Sequence, residues 1–100
     1  MIKVSVLKDK DNYKNIEVTG HALYDDFGKD IVCASTSSII ITSINACIKI
    51  NEESIKYDYT KDGIRINIHS NDEIIQKLMD NMITLLEELS EDYPKNIIVR

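Results

Sequence analysis

The chain has few of the residues that mark linkers, disulfide scaffolds or membrane spans. Its 100 residues contain no tryptophan, one proline, three glycines and two cysteines. So little glycine and proline leaves no room for flexible linkers, and two cysteines do not build the disulfide framework of a secreted domain. The apolar run at 39–41 is followed directly by Thr42 and Ser43, so no membrane-spanning segment is expected. We expect a single domain over residues 1–100 with one hydrophobic core.

Basic residues are also scarce. The chain has 12 lysines and arginines against 17 aspartates and glutamates, for a net charge of −5. Direct binding to nucleic acid needs a basic face to replace the counterions on phosphates, so that class of function is not expected. A basic partner fits better, although acidic pairs such as Glu87-Glu88 and Glu91-Asp92 also occur on ordinary solvated helix faces. The N-terminus is strand-like and has no basic, apolar leader, which favours a cytoplasmic location.

Alternating and helical hydrophobic patterns predict seven elements. Two hairpins are expected, from strands at 2–7 and 14–19 and from strands at 54–59 and 64–68. Helices are expected from residue 31 or 32 to residue 50 and over 72–90, with a short strand at 96–99. The predicted fold class is α+β, a two-layer sandwich of an antiparallel-rich sheet with two helices in the order ββαββαβ.

The two predicted helices differ in what stabilises them. The first is rich in β-branched residues with poor helix propensity, so burial must stabilise it. Its predicted core residues recur at helical spacing and are Ile40, Ile41, Ile44, Cys47 and Ile48. In the second, Ser70 and Glu73 resemble a capping box. Its predicted apolar face comprises Ile75, Leu78, Met79, Met82, Ile83, Leu86 and Leu89.

A thiol and an imidazole provide the candidate chemistry. Cys33 lies in the predicted first turn of the first helix, and His21 lies just after the second strand. The amides and the positive dipole end at a helix start favour a thiolate, and a nearby imidazolium would favour it further. The same amides could bind the oxyanion formed when sulfur attacks a carbonyl, while His21 protonates the departing amine. Cys47 is expected to be an inert core thiol.

The residues around this pair have less certain roles. Asp30 either caps the helix or orients His21, and Ser37 either reaches the thiol region or bonds back to the helix backbone. Gly20 and Gly28 bracket a loop that could control access to the site. Tyr24 either binds substrate or is a partly buried loop aromatic.

These residues carry a family resemblance. Gly20-His21-Ala22, Tyr24, Gly28, the segment 30–34 and Ser37 resemble the signature of the ribosomal-processing cysteine protease family. The resemblance implies a homodimeric bacterial enzyme with His21 and Cys33 as its catalytic dyad. It also implies that the enzyme removes the N-terminal extension of a basic precursor, large-subunit ribosomal protein twenty-seven. Gly20, Tyr24, Gly28, Asp30 and Ser37 are then supporting or substrate-binding residues.

Two other functions remain open at this stage. One is a non-catalytic ribosome-associated module that binds a basic peptide, and the other is a thiol redox sensor. No cofactor and no metal is expected, because His21, Cys33 and His69 do not have the spacing of zinc ligands.

Overall fold

A computed structural model describes residues 1–20 and 31–100. Five strands and two helices follow one another in the predicted order ββαββαβ. They are β1 (Ile2–Asp9), β2 (Asn12–Thr19), α1 (Ile31–Ile50), β3 (Ile55–Thr60), β4 (Gly63–Ile68), α2 (Glu73–Asp92) and β5 (Ile97–Val99). The predicted α+β architecture is confirmed, and the predicted strand and helix bounds differ from these by one or two residues.

The five strands form one sheet in the order β3-β4-β2-β1-β5. All neighbouring pairs are antiparallel except β1 and β5, which are parallel. The first hairpin turns through Lys10 and Asp11, both with positive φ, which matches the twist of the flanking strands. At Gly63 in β4, an added Cβ would collide with the Val18 carbonyl oxygen. Glycine therefore permits the close pairing of β4 with β2.

The buried residues of both helices and of the strands form one core cluster. Five α2 residues contribute to it: Ile75, Met79, Met82, Ile83 and Leu86. Leu78 and Leu89 are partly buried against the same cluster. The predicted apolar face of α2 is therefore confirmed.

Helix α1 owes its stability to this packing. Its buried stripe comprises Val32, Thr36, Ile40, Ser43, Ile44 and Cys47, whereas Ile41 is 41% exposed. The prediction of Ile41 as a core residue is wrong, because it lies about 100° around the helix from Ile40, beyond the edge of the stripe. By length and composition alone α1 would also be long enough and apolar enough to cross a membrane, contrary to the expectation from the sequence. In this fold it is the core helix of a two-layer domain.

The start of α2 is capped by a different residue from the predicted one. The Asp72 side chain accepts a hydrogen bond from the Ile74 amide, at 3.1 Å. The Ser70 hydroxyl instead accepts from the Asp72 amide, also at 3.1 Å. The prediction of a capping box formed by Ser70 and Glu73 is therefore wrong, because the helix begins two residues later than that motif requires.

Gln76 joins α2 to the first hairpin. Its Oε1 accepts from the Tyr13 amide at 2.6 Å, and its Nε2 donates to the carbonyl oxygens of Tyr13 at 3.1 Å and Ser70 at 2.9 Å. The Tyr13 hydroxyl donates to Asp80 at 2.6 Å. Burial, followed by this hydrogen bond, raises the pKa of Tyr13, so the phenol remains a donor at neutral pH.

Truncating Gln76 should destabilise the fold. Gln76→Ala removes three hydrogen bonds and leaves part-buried backbone groups of Tyr13 and Ser70 unpaired, so we expect a loss of about 2 kcal/mol in the free energy of unfolding. Urea denaturation measures it. Lys77→Ala is the matched control, because its exposed ion pair with Glu73 is worth only about 0.3–0.5 kcal/mol. Equal losses for the two variants would contradict the assignment.

Thr36 is a buried polar residue in α1. Its side chain is fully buried, and its Oγ1 has no hydrogen-bond partner in the part of the chain that the structure describes. A buried hydroxyl without a partner destabilises a fold by about 1–3 kcal/mol. The residue therefore opposes the stability of the helix that carries Cys33.

Replacing this hydroxyl by a methyl group should stabilise the protein. Thr36→Val keeps the shape and the β-branch and removes the unpaired oxygen, so we expect a gain of about 1 kcal/mol. Thermal and urea unfolding measure it, with Thr42→Val, on the exposed side of the same helix, as the control. A lower stability for Thr36→Val would show that the hydroxyl has a partner.

Candidate active site

Cys33 is the third residue of α1, in the first turn, as predicted. The first turn contains no acidic residue. In this position the sulfur is close to backbone amides that the helix does not use in its own hydrogen-bond ladder and to the positive end of the helix dipole. The side chain is partly buried against the core cluster, and the thiol is not in a disulfide.

Ser37 lies one turn after Cys33 on the same side of α1, and it too is partly buried. Residues four positions apart in a helix lie one above the other, so Ser37 lies on the same face of α1 as Cys33, and its role in the thiol region stays a prediction. Both side chains take part in interactions within the fold.

Gly20 follows directly after β2 and has a φ of +74°, a left-handed conformation that favours glycine. An added Cβ there would collide with the Met1 carbonyl oxygen. Gly20 therefore lets the chain leave the sheet closely past the start of β1. The four other predicted site residues, His21, Tyr24, Gly28 and Asp30, lie outside the described residues.

Gly20 and Cys33 lie at the same end of the molecule. The Ile2 amide donates to the Asn96 carbonyl at 2.8 Å, so the segment after α2 meets the start of β1, where Gly20 also lies. The same end of α2 packs beside the first turns of α1, because Ala34 and Asp92 line one groove. Gly20, directly after β2, therefore lies at the end of the fold where α1 begins.

The second thiol lies elsewhere. Cys47 is fully buried in the core, is not in a disulfide, and is fourteen residues further along α1, about 21 Å at the helical rise. Its carbonyl accepts a hydrogen bond from the Ser54 hydroxyl at 3.1 Å. Burial raises the pKa of the Cys47 thiol, which holds it in the unreactive protonated form. Its expected structural role is consistent with this position.

One feature of this end was missed by sequence reasoning. A groove lies between the first half of α1 and the last half of α2. The only signal for it in the sequence is the group of small residues Ala34, Ser35 and Ser38, whose side chains leave space beside a neighbouring helix. That space depends on which helix packs there, so the residues alone do not predict it.

Comparison with known proteins places the chain in a family. The family model of cysteine protease Prp matches residues 1–98. The ribosomal processing cysteine protease Prp of Staphylococcus aureus strain Mu50 is 31% identical over 101 residues, which cover 97% of this chain and 95% of that protein. The protein of the same name from Bacillus subtilis strain 168 is 27% identical over 107 residues, covering 99% and 96% of the two chains.

A solved structure agrees with the sequence comparison. The crystal structure of the essential ribosomal processing protease Prp from S. aureus, in complex with a covalently linked product peptide, superposes with a TM-score of 0.87 at 28% identity. It covers 100% of this chain and 98% of the other. The predicted enzyme class, a hydrolase of the thiol protease type, is thereby confirmed. The chain belongs to the Prp family of cysteine proteases.

Proposed function

We propose that this protein is an endopeptidase that removes the N-terminal extension of the precursor of large-subunit ribosomal protein twenty-seven, using a dyad of Cys33 and His21. The observation that carries the proposal is the position of Cys33 in the first turn of α1, at the end of the fold where β2 is followed by Gly20. The relatives named for ribosomal processing support the substrate class. The covalently linked product peptide on the S. aureus relative supports a covalent route.

The proposed reaction has two steps. The Cys33 thiolate attacks the scissile carbonyl carbon, and amides at the start of α1 bind the oxyanion. When the carbon–nitrogen bond breaks, His21 gives its proton to the departing amine, and a thioester remains on Cys33. A water molecule, deprotonated by His21, then hydrolyses the thioester and restores the thiol. These steps require no cofactor and no metal ion.

The other proposed properties follow from this assignment. The substrate is a basic protein, and the acidic net charge of −5 is suited to attracting it. We place the reaction in the cytoplasm, without direct binding to nucleic acid or membrane. The enzyme acts as a homodimer. Gly20, Tyr24, Gly28, Asp30 and Ser37 support the dyad or bind substrate, with Gly20 directing the chain out of β2.

Replacing Cys33 should abolish cleavage. With the purified precursor under reducing conditions, we expect Cys33→Ala to lower the cleavage rate at least about a thousandfold, because no other group forms the thioester. His21→Ala should cause a comparable loss. Mass spectrometry of the products measures both. Cys47→Ala is the matched control and should keep its cleavage rate. Cleavage by Cys33→Ala would rule out the nucleophile, and an uncut precursor with the native protein would rule out the reaction.

The two thiols should also differ in their reaction with iodoacetamide. We expect Cys33 to be alkylated much faster than Cys47 at neutral pH, because the helix start and the proposed proximity of His21 favour its thiolate. Cys47 should stay unmodified into the alkaline range, since burial raises its pKa. Peptide mapping after timed alkylation at several pH values measures the two rates separately. Equal rates would contradict an activated thiol at position 33.

A further inference from the structure

The groove between α1 and α2 is open along its length and has a volume of about 550 Å³. Its α1 wall consists of small side chains, Ala34, Ser35 and Ser38. Successive residues lie about 100° apart around the helix axis, so these three residues lie on a different side of α1 from Cys33. The groove therefore starts at the helix turn that carries the thiol but does not contain it. A molecule bound in the groove would therefore be held at a place separate from Cys33.

The floor of the groove is apolar. It is formed by Ile39, Leu85 and Leu89. Ile39 and Leu89 are partly buried against the core cluster, while Leu85 is 38% exposed. An exposed leucine beside a concave apolar surface gives a partner hydrophobic area to cover. The occupant must therefore offer apolar side chains as well as polar ones.

The rim of the groove is acidic. Glu88 and Asp92 line it, and the last turn of α2 contains no basic residue. Across residues 1–20 and 31–100, the ion pairs join Arg65 to Glu17 and Lys77 to Glu73, away from this rim. Carboxylates near the negative end of a helix dipole are unfavourable. Among the described residues, neither Glu88 nor Asp92 has an ion-pair partner, so both carboxylates lie beside the apolar floor at some loss of stability.

These features together select the occupant. A second copy of the chain that docked through the same groove would bring one acidic rim against the other, which is repulsive. An uncharged apolar ligand would gain nothing from the rim. A peptide with lysine or arginine side chains between apolar ones fits both the acidic rim and the apolar floor. Its cations pair with Glu88 and Asp92, while its apolar side chains cover Leu85.

We propose that this groove, formed by residues 34–39 of α1 and 85–92 of α2, is an anchoring site for a cationic, partly apolar segment of the substrate polypeptide. This inference rests on the proposed function for its choice of ligand. The groove holds the substrate by a segment separate from the scissile bond, and it lets the enzyme distinguish a basic precursor from other peptides by a second contact.

The test measures binding apart from cleavage. The probe is a fluorescent synthetic peptide of alternating lysine and leucine without a cleavage site, and a peptide of alternating glutamate and leucine is its counterpart. Fluorescence anisotropy with the full chain should show binding of the lysine peptide alone, weaker at ionic strength of about 0.2 M than at about 0.02 M. The double variant Glu88→Gln/Asp92→Asn should raise its Kd about fivefold. Leu85→Ser should also raise the Kd.

The matched control removes the same charge elsewhere. Glu52→Gln/Glu53→Gln changes two exposed acids in the turn after α1 and should leave the Kd unchanged. Thermal unfolding should show a higher Tm for Glu88→Gln/Asp92→Asn, because the unfavourable charges at the helix end are gone. Equal weakening by both double variants would overturn the proposal, since it would show attraction by net charge alone. Failure of the native protein to bind the lysine peptide would also overturn it.

Cleavage data separate this proposal from the proposed function. Precursor cleavage with the same KM in the native protein and in Glu88→Gln/Asp92→Asn would overturn the anchoring site and leave the protease assignment intact. If the native protein leaves the precursor uncut while that variant specifically loses binding of the lysine peptide, the protease assignment is overturned and a cation-binding groove is supported.

Discussion

The structure depends on the burial of one helix that its own residues do not favour. Helix α1 is rich in isoleucine, serine and threonine, and it is stabilised by the stripe from Val32 to Cys47 that packs into the shared core. The first turn of that helix carries Cys33. The position of Cys33 is therefore set by core packing rather than by local propensity. Any change that loosens this stripe acts on the site as well as on the fold.

Polar groups near Cys33 and the groove oppose that stability. Thr36 has a buried hydroxyl without a partner among the described residues, and α2 ends in carboxylates that its dipole disfavours. Both features lie within a few residues of the groove or of Cys33. Elsewhere the fold follows the usual rules of helix capping and hydrogen bonding, as in the Asp72 cap and the hydrogen bonds of Gln76. The concentration of exceptions at one end is typical of a functional surface.

The chain order explains how a small domain assembles this surface. Strand β2 is followed by Gly20, whose positive φ turns the chain past Met1, and α1 begins eleven residues after Gly20. The end of α2 returns to the same place, because Asn96 bonds to Ile2 at the start of β1. Three segments distant in sequence thus meet at one end of the sheet. The topology brings Cys33, Gly20 and the acidic groove to this end of the fold.

The sequence by itself determined the seven elements, their order and the place of Cys33 in a helix start. These depend on hydrophobic period, turn residues and a local motif, which neighbouring residues encode. The tertiary structure alone decided the strand order, with β5 parallel to β1, the cap by Asp72 in place of Ser70, and the exposure of Ile41. It also created the groove, because a space between two helices depends on how both pack against the sheet. Periodicity shows which face of an element is apolar, but the element that covers that face is chosen by long-range packing.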